Sequence, residues 1–227
     1  MMIYRFKIFL AFIKFLLTHP RSYKYFGKWM KYKFFSRGKN NISAGLPWMN
    51  LEIIDWLSKY LKKDMQLFEW GAGGSTVFYS DLVKHVVSIE YDESYFAFVE
   101  KQLKEKENVE LILMPPQEEG NYKSFSPHHI GSYFDNYVKT INAYPDQSFD
   151  VIVVDGRQRN ACFRIALRKL KPDGIIVFDN FDREIYKKSQ YYPNLSYISI
   201  DGLMPFNYVI GTTSIFYFNN RGKEISR

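Results

Sequence analysis

A glycine-rich turn between a predicted strand and a predicted helix is the feature that most constrains the fold of this chain. The turn has the sequence EWGAGGST over residues 69–76 and follows the apolar pair Leu67 and Phe68. Glycine permits a sharp turn and lets a ligand approach the backbone without a Cβ clash. The helix start near Ser75 leaves free N–H groups, and ligands of open α/β sheets bind where the strands end. The loop Phe68–Thr76 is therefore predicted to bind a cofactor.

From Gln66 onward, predicted strands and helices alternate along the chain. Such alternation implies parallel strands joined by right-handed helical crossovers. The last two predicted strands have no clear helix between them, so we expect an antiparallel hairpin at one end of the sheet. The predicted fold class is α/β, a Rossmann-like doubly wound sheet, mostly parallel with an antiparallel last strand, preceded by an N-terminal helical segment. The predicted strands are 66–70, 85–90, 109–114, 149–155, 174–179, 196–201 and 212–219, and the predicted helices of the domain are 48–61, 75–83, 92–106, 130–142, 159–170 and 182–190.

Charge separates the first part of the chain from the rest. Residues 1–51 carry ten Lys or Arg and no Asp or Glu, whereas the remainder carries 21 basic and 24 acidic residues. We predict a basic, aromatic, helical segment over 1–47 and a catalytic domain over 48–227. The apolar helix predicted over 3–17 is too short to span a bilayer, and basic residues interrupt it. Because the excess of basic over acidic residues lies outside the predicted catalytic domain, no nucleic-acid partner is expected.

The N-terminal segment has two interpretations. Aromatic residues interleaved with lysines suit the surface of an anionic membrane, which predicts peripheral contact through residues 1–40. The same pattern suits a helical lid that packs on the domain and keeps its lysines in solvent. The single cysteine, Cys162, excludes an intrachain disulfide framework and fits a reducing compartment. The predicted location is the cytoplasm. If residues 1–40 contact a membrane, we expect the protein at the inner face of that membrane.

The acid ahead of the glycines separates two classes of cofactor. Gly71 and Gly73 fit the start of the dinucleotide-binding pattern G-x-G-x-x-G, but Thr76 stands at its third glycine. The spacing Glu69-x-Gly71-x-Gly73 resembles motif I of the class I methyltransferases. That resemblance implies S-adenosylmethionine as the cofactor, with Glu69 orienting its cationic methionine end. The predicted cofactor-binding residues of the loop are Glu69, Gly71, Ala72, Gly73, Ser75 and Thr76.

A second acid, Glu90, ends the next predicted strand, about twenty residues after the glycines. An acid at that position can accept hydrogen bonds from the ribose hydroxyls, a device that methyltransferases and NAD enzymes share. Glu90, Tyr91 and Asp155 complete the predicted cofactor set. Asp92 is predicted to cap the following helix instead of binding a ligand.

Two further predicted strands end in oxygen-bearing side chains at the same edge of the sheet. Asp155 ends one, and Asp179 with Asn180 ends the other. The pattern resembles the metal-dependent, catechol-type O-methyltransferases, which implies Mg²⁺ held by Asp155, Asp179 and Asn180. In that family the ion lowers the pKa of the acceptor hydroxyl. The alternative is that the same side chains orient cofactor or acceptor without a metal.

The residues after Asp155 depart from that family. Gln158 stands where the family tends to place a Lys base, and Arg157 and Arg159 flank it. Arginine is a poor base but binds carboxylate and phosphate well, which favours an anionic acceptor. Asp155 and Arg157 are therefore the predicted catalytic residues.

An insertion over 115–147, between the third and fourth strands, is predicted to cover the acceptor. It contains His128 and His129, which are candidate bases because histidine titrates near neutral pH. The predicted function is S-adenosylmethionine-dependent methyl transfer to an oxygen of a small or glycan-like acceptor. An NAD-dependent oxidoreductase and a non-catalytic, membrane-associated binding module are the alternatives.

Overall fold

The computed structural model describes residues 2–36, 39–187 and 192–219, with side chains from residue 8 onward. A mixed sheet lies at its centre, with the described strands in the order β3-β2-β1-β4-β5-β7-β6. The strands are β1 (Gln66–Trp70), β2 (His85–Glu90), β3 (Val109–Leu113), β4 (Phe149–Val154), β5 (Leu170–Asp179), β6 (Leu195–Leu203) and β7 (Ile210–Phe218).

Helices cover both faces of the sheet and also precede it. A π-helical turn, Lys31–Phe35, follows the second helix, and short 3-10 turns occur elsewhere. The α-helices are α1 (Met2–Thr18), α2 (Tyr23–Met30), α3 (Leu51–Tyr60), α4 (Gly74–Ser80), α5 (Glu93–Leu103), α6 (Asp135–Lys139), α7 (Arg159–Lys169) and α8 (Glu184–Lys187).

The strand directions confirm the predicted fold class. β1 pairs in parallel with β2 and β4, and β3 and β5 extend the sheet in the same direction. β7, the last strand along the chain, runs antiparallel between β5 and β6. Because the strand order reverses between β1 and β4, a crevice opens there at the carboxyl ends of the strands.

Alternate residues of the central strands point to opposite faces of the sheet, and both faces are apolar. In β1, Leu67 packs in the core beneath α3 and α4, whereas Phe68 packs in the core beneath α6 and α7. Parallel strands buried on both faces read as continuous apolar runs, as the run Val151–Val154 of β4 does. The sheet therefore presents its strand ends as a fixed platform.

Two predicted helices are shorter in the structure. The helix predicted over 130–142 begins only at Asp135, because Tyr133 pairs with Gln117 in an extended bridge and Gly131 has a φ of 87°. The helix predicted over 182–190 covers Glu184–Lys187, and residues 188–191 lie outside the described residues.

The helices α1 and α2 pack on the domain through aromatic side chains. Phe12 and Trp29 are each 2% exposed and lie in one cluster with Leu51 of α3 and Leu203 of β6. The Trp29 indole N–H donates to the carbonyl of Asn207 at 2.7 Å. One side of the N-terminal segment is thereby attached to the domain. Within the described part of the chain, no helix is long and apolar enough to cross a membrane.

Replacing Trp29 by Ala should lower the free energy of unfolding by about 3–5 kcal/mol, because a buried aromatic leaves a cavity. Urea denaturation followed by circular dichroism measures that loss. Phe35→Ala is the matched control, since Phe35 is 77% exposed and its removal should change stability by no more than about 0.5 kcal/mol. Equal losses in the two variants would contradict the packing described here.

Candidate active site

The glycine loop begins at the carboxyl end of β1, next to the carboxyl end of the neighbouring strand β4. Gly71 has a φ of 104°, a conformation that L side chains rarely adopt. A Cβ on Gly71 would lie 3.0 Å from the backbone nitrogen of Gly156 and 3.1 Å from the carbonyl carbon of Asp155. Glycine at this position therefore allows the backbone after β1 to pack directly against the backbone after β4.

Gly74, at the start of α4, touches the segment that precedes the domain. A Cβ there would clash with the carbonyl oxygens of Asn41 and Leu46. The sequence indicated a turn at this position, but it did not indicate that residues 41–46 cover the turn. The glycine run thus permits the turn at Gly71 and also the close contact of Gly74 with the backbone of residues 41–46.

Glu69 lies beneath the loop instead of facing a ligand. Its carboxylate is fully buried and accepts hydrogen bonds from the hydroxyls of Ser75, Thr76 and Ser88, the last two at 2.7 and 2.8 Å. Burial raises the pKa of Glu69 to about 7, against the lowering effect of the three hydroxyls. Glu69 and Thr76 thus bond to each other below the loop, and their contact with the cofactor stays a prediction.

Glu90 ends β2 at the edge of the crevice. Its Oε1 accepts hydrogen bonds from the backbone N–H groups of Tyr91 and Asp92, at 2.7 and 2.8 Å. Desolvation by burial raises its pKa above the ordinary value. Asp92 caps α5 by accepting from the backbone N–H of Tyr95 at 2.8 Å, which confirms the capping prediction.

A cleft of about 630 Å³ lies over these strand ends. Among the predicted cofactor residues, the loop from Gly71 to Ser75, the end of β2 at Glu90 and Tyr91, and Asp155 all line it. Its remaining wall includes Trp48 and Tyr95, which the sequence analysis did not select. Neither stands in a recognisable motif: Trp48 belongs to the segment before α3, and Tyr95 lies in the first turn of α5, shortly after Glu90 and Tyr91. A volume of this size suits a small molecule or cofactor.

Asp155 and Asp179, at the ends of β4 and β5, form a buried pair around Arg159. The Arg159 guanidinium lies 2.8 Å from Asp155 Oδ1 and 3.5 Å from Asp179 Oδ2. Burial and the neighbouring charge of Asp179 hold the pKa of Asp155 well above its usual range, and burial raises that of Asp179. The charge of Arg159 opposes both shifts.

The predicted Mg²⁺ ligands do not fit a divalent ion. The cation between Asp155 and Asp179 is the Arg159 guanidinium, which also donates to the main-chain carbonyls of Asp155, Gly156 and Asp179. Asn180 Oδ1 accepts from Arg183 at 2.7 Å and from Arg159 Nη1 at 3.5 Å, so arginine donors occupy this oxygen as well. Within the described residues, no group of three or more His, Cys, Asp or Glu side chains could hold a metal. The metal prediction is therefore corrected: an arginine already neutralises these oxygens.

Arg157 lines the cleft against an aromatic wall. Its Nη2 donates to the hydroxyl of Tyr91 at 2.6 Å, and its guanidinium carbon lies 4.8 Å from the centre of the same ring. The neighbouring Gln158 points elsewhere, since its side-chain amide donates to the carbonyls of Tyr122 and Lys123. Gln158 thus fastens the insertion to the end of β4.

The histidines of the insertion stand behind Tyr91. His129 packs its ring edge-on to that of Tyr91, with centres 5.2 Å apart, and burial lowers its pKa. Neither His128 nor His129 lines the cleft. Asp135 organises this stretch by accepting from the backbone N–H groups of Asn121 and Tyr122, and its pKa falls to about 2.

Comparison with known proteins places this architecture in a family. The model of a methyltransferase domain matches residues 68–181, which is half of the chain and runs from β1 to just beyond β5. The chain belongs to this methyltransferase family. A search of curated proteins finds no match.

Solved structures share the fold at low sequence identity. An O-methyltransferase from Bacillus cereus, in complex with SAH (S-adenosylhomocysteine), is 18% identical, with a TM-score of 0.52 over 77% of this chain and 86% of that one. A putative O-methyltransferase from Klebsiella pneumoniae is 16% identical, with a TM-score of 0.55 over 79% of this chain and 86% of that one. An rRNA methylase from Streptococcus thermophilus is 14% identical, with a TM-score of 0.52 over 74% and 95%. Because the named activities differ, the shared fold does not identify an acceptor.

The buried Glu69 predicts a pH-dependent stability. Its folded pKa of about 7 exceeds the ordinary 4.5, so its contribution is full below pH 4.5 and is lost as the pH rises through 7. Wild-type protein should therefore lose roughly 3 kcal/mol relative to Glu69→Gln between these limits, as urea denaturation at pH 5 and pH 8 would show. Glu100→Gln, at an exposed position of α5, should keep the wild-type pH dependence. Parallel stability curves for wild type and Glu69→Gln would contradict the assignment.

Proposed function

We propose that this protein transfers a methyl group from S-adenosylmethionine to an oxygen of a small or glycan-like acceptor. The observation that carries the proposal is the cleft at the switch point of the sheet, formed by the glycine loop, Glu90 and Asp155. Membership of the methyltransferase family supports the reaction class. The S-adenosylhomocysteine complex of the Bacillus cereus O-methyltransferase supports the choice of cofactor.

The residues present fit this cofactor. The space beside Gly73 is narrow, since a Cβ there would lie 3.0 Å from the Tyr95 hydroxyl, so the backbone of the loop is what a ligand meets. The hydrogen bonds that Glu90 accepts all go to Oε1, which leaves Oε2 for the ribose hydroxyls. In this proposal Gly71, Ala72, Gly73 and Ser75 hold the methionine end, and Tyr91 packs beside the nucleoside.

Calorimetric titration with S-adenosylhomocysteine and with NAD⁺ tests the cofactor. Wild-type protein should bind S-adenosylhomocysteine, and Glu90→Gln should weaken that binding by about 10- to 100-fold, the value of hydrogen bonds to a charged group. Glu93→Gln, at an exposed position three residues further on, is the matched control and should bind like wild type. Binding of NAD⁺ without S-adenosylhomocysteine would favour the oxidoreductase alternative and end this proposal.

The buried carboxyl pair supplies the base. When bound, S-adenosylmethionine supplies an electrophilic methyl group, so the protein mainly aligns the acceptor and removes its proton. We assign that proton to Asp155, which lines the cleft while Asp179 lies behind it. As the acceptor oxygen gained its bond to the methyl carbon, the carbon–sulfur bond of the cofactor would break with its electron pair kept by sulfur, and the acceptor's proton would pass to a carboxylate oxygen of Asp155. Arg159 keeps the pair in position and balances its charge throughout.

This assignment predicts a specific pH profile. Methyl transfer from labelled cofactor into a cell extract should rise with pH as Asp155 loses its proton, and Asp155→Asn should reduce it by about 10²- to 10⁴-fold. Asp179→Asn removes a neighbouring charge that raises the pKa of Asp155, so it should move the profile to lower pH. Asp173→Asn, at an exposed position of β5, should leave the profile in place. An unmoved profile in Asp179→Asn would exclude the pair as the base, and full transfer by Asp155→Asn would exclude Asp155 altogether.

We also propose that the acceptor carries a carboxylate or phosphate. Arg157 lines the cleft two residues from Asp155, and a guanidinium offers more donors than the one that Tyr91 accepts. Arg157→Met should therefore raise the KM for p-nitrophenyl glucuronide more than that for p-nitrophenyl glucoside, in assays of methyl transfer. Equal changes in the two KM values would remove the anionic group from the proposal.

A further inference from the structure

The helix α1 has two apolar sides, and only one of them packs on the domain. Phe12 and Phe15 are buried against it, as described above. A second row lies on one face of the helix, because its members are three or four residues apart and share one stripe. We call this row the outer face; it consists of Leu10, Ile13 and Leu17, which are 50, 38 and 74% exposed. Phe9, which is 44% exposed, lies at its edge and contacts the ring of Tyr208, with ring centres 6.0 Å apart.

α2 and the π-helical turn after it also expose aromatic side chains, although Tyr25 and Trp29 between them are buried. The exposed members are Tyr23, Phe26, Phe34 and Phe35, and the rings of Phe26 and Phe34 contact Trp29. Soluble domains commonly expose single apolar residues, whereas several exposed apolar side chains in one short segment indicate a surface that meets a partner.

The charges that this segment itself carries have a single sign, although Asp55 of α3 accepts from Tyr25, and Glu52 and Asp201 lie near Arg21. Residues 1–51 contain ten basic side chains and no acidic one. Lys33 is engaged with the carbonyl of Phe206 and the ring of Tyr208. Exposed basic side chains on these helices and the turns next to them are Lys14, Arg21, Lys24, Lys28 and Lys31. A partner for this surface must therefore be both anionic and able to receive aliphatic and aromatic side chains.

We infer that the outer face of α1 docks on an anionic lipid bilayer, with the lysines and arginines of residues 14–31 against the lipid headgroups. A bilayer interface combines negative headgroups with an acyl boundary, and amphipathic helices insert their apolar face a few ångströms into it. Nucleic acid offers the negative charge, but it has no place for leucine and isoleucine in a row. The contact is peripheral, and it does not depend on the proposed methyl transfer.

Co-sedimentation of the full chain with phosphatidylcholine vesicles, with and without phosphatidylglycerol, tests the inference. Wild-type protein should sediment with the anionic vesicles and stay in solution with the neutral ones. The double variant Leu10→Asp, Leu17→Asp should bind at least about tenfold more weakly, since two apolar anchors are lost. The matched control is Phe125→Asp, Ile130→Asp, because these side chains of the insertion are 88 and 78% exposed. It should bind like wild type.

A charge series separates attraction to headgroups from apolar insertion. Replacing Lys14, Arg21 and Lys31 together by Gln should weaken binding roughly fivefold for each charge removed. The matched set, Lys62, Lys101 and Lys104 to Gln, removes the same charge at exposed sites of the domain and should have little effect. Unchanged midpoints of thermal unfolding in all variants show that the fold is retained.

Three results would overturn the inference. The first is equal binding of wild type to neutral and anionic vesicles. The second is unaltered binding after the Leu10 and Leu17 changes. The third is a wild-type dimer in sedimentation equilibrium that these same changes dissociate, with no effect on vesicles, which would make a second copy of the chain the occupant.

Discussion

The buried carboxylate of Glu69 holds three elements of the site together. Its oxygens accept hydrogen bonds from hydroxyls of the first turn of α4 and of Ser88 in β2, while Glu69 itself belongs to β1. A buried carboxyl without such partners would destabilise the fold, so the loop stays close to the sheet. That closeness brings Gly71 against the backbone of Gly156. The position of the glycine loop, and with it the wall of the cleft, thus depends on the hydrogen bonds to Glu69 beneath the loop.

Arg159 plays a comparable role at the ends of β4 and β5. It starts α7 four residues after Asp155 and reaches back to that carboxylate, to Asp179 and to the main-chain carbonyls beside them. Removing one partner of a buried ion pair leaves an uncompensated charge, so the three side chains act as a unit. The consequence is chemical as well as structural. In place of a metal that would bind an acceptor oxygen, the chain holds two carboxyl groups around one guanidinium.

The sequence predicted the sheet well and the orientation of its polar residues less well. The apolar run Val151–Val154 identifies β4, and the pairs Leu67–Phe68 and Val86–Val87 identify β1 and β2, because strands buried on both faces need apolar neighbours in sequence. The position of Glu69 could also have been found, since it alternates with Leu67 and therefore points to the α4 side of the sheet.

The Arg159 contact was less accessible from the sequence. The spacing of four residues allows a pair with Asp155 once α7 begins at Arg159, but the contact to Asp179 depends on β4 and β5 being neighbours. Trp48 and Tyr95 carry no such signal, because only the folded chain brings them to the cleft. The sequence is equally uninformative about the two sides of α1. Helical spacing shows that both sides are apolar, but only the packing in the folded chain determines which side is buried.

Residues 41–46 connect the N-terminal helices to the cleft. α1 and α2 attach to α3 and the β6–β7 end of the sheet, whereas the cleft is formed by β1, β2 and β4. Between them, the carbonyls of Asn41 and Leu46 rest on Gly74, where no Cβ could be placed. Packed backbone cannot yield there, so any shift of the N-terminal helices that moves residues 41–46 must move the glycine loop as well. Docking of α1 on a surface is thus coupled to the site through this contact, and the strength of that coupling depends on how rigidly the chain between α2 and Asn41 is held.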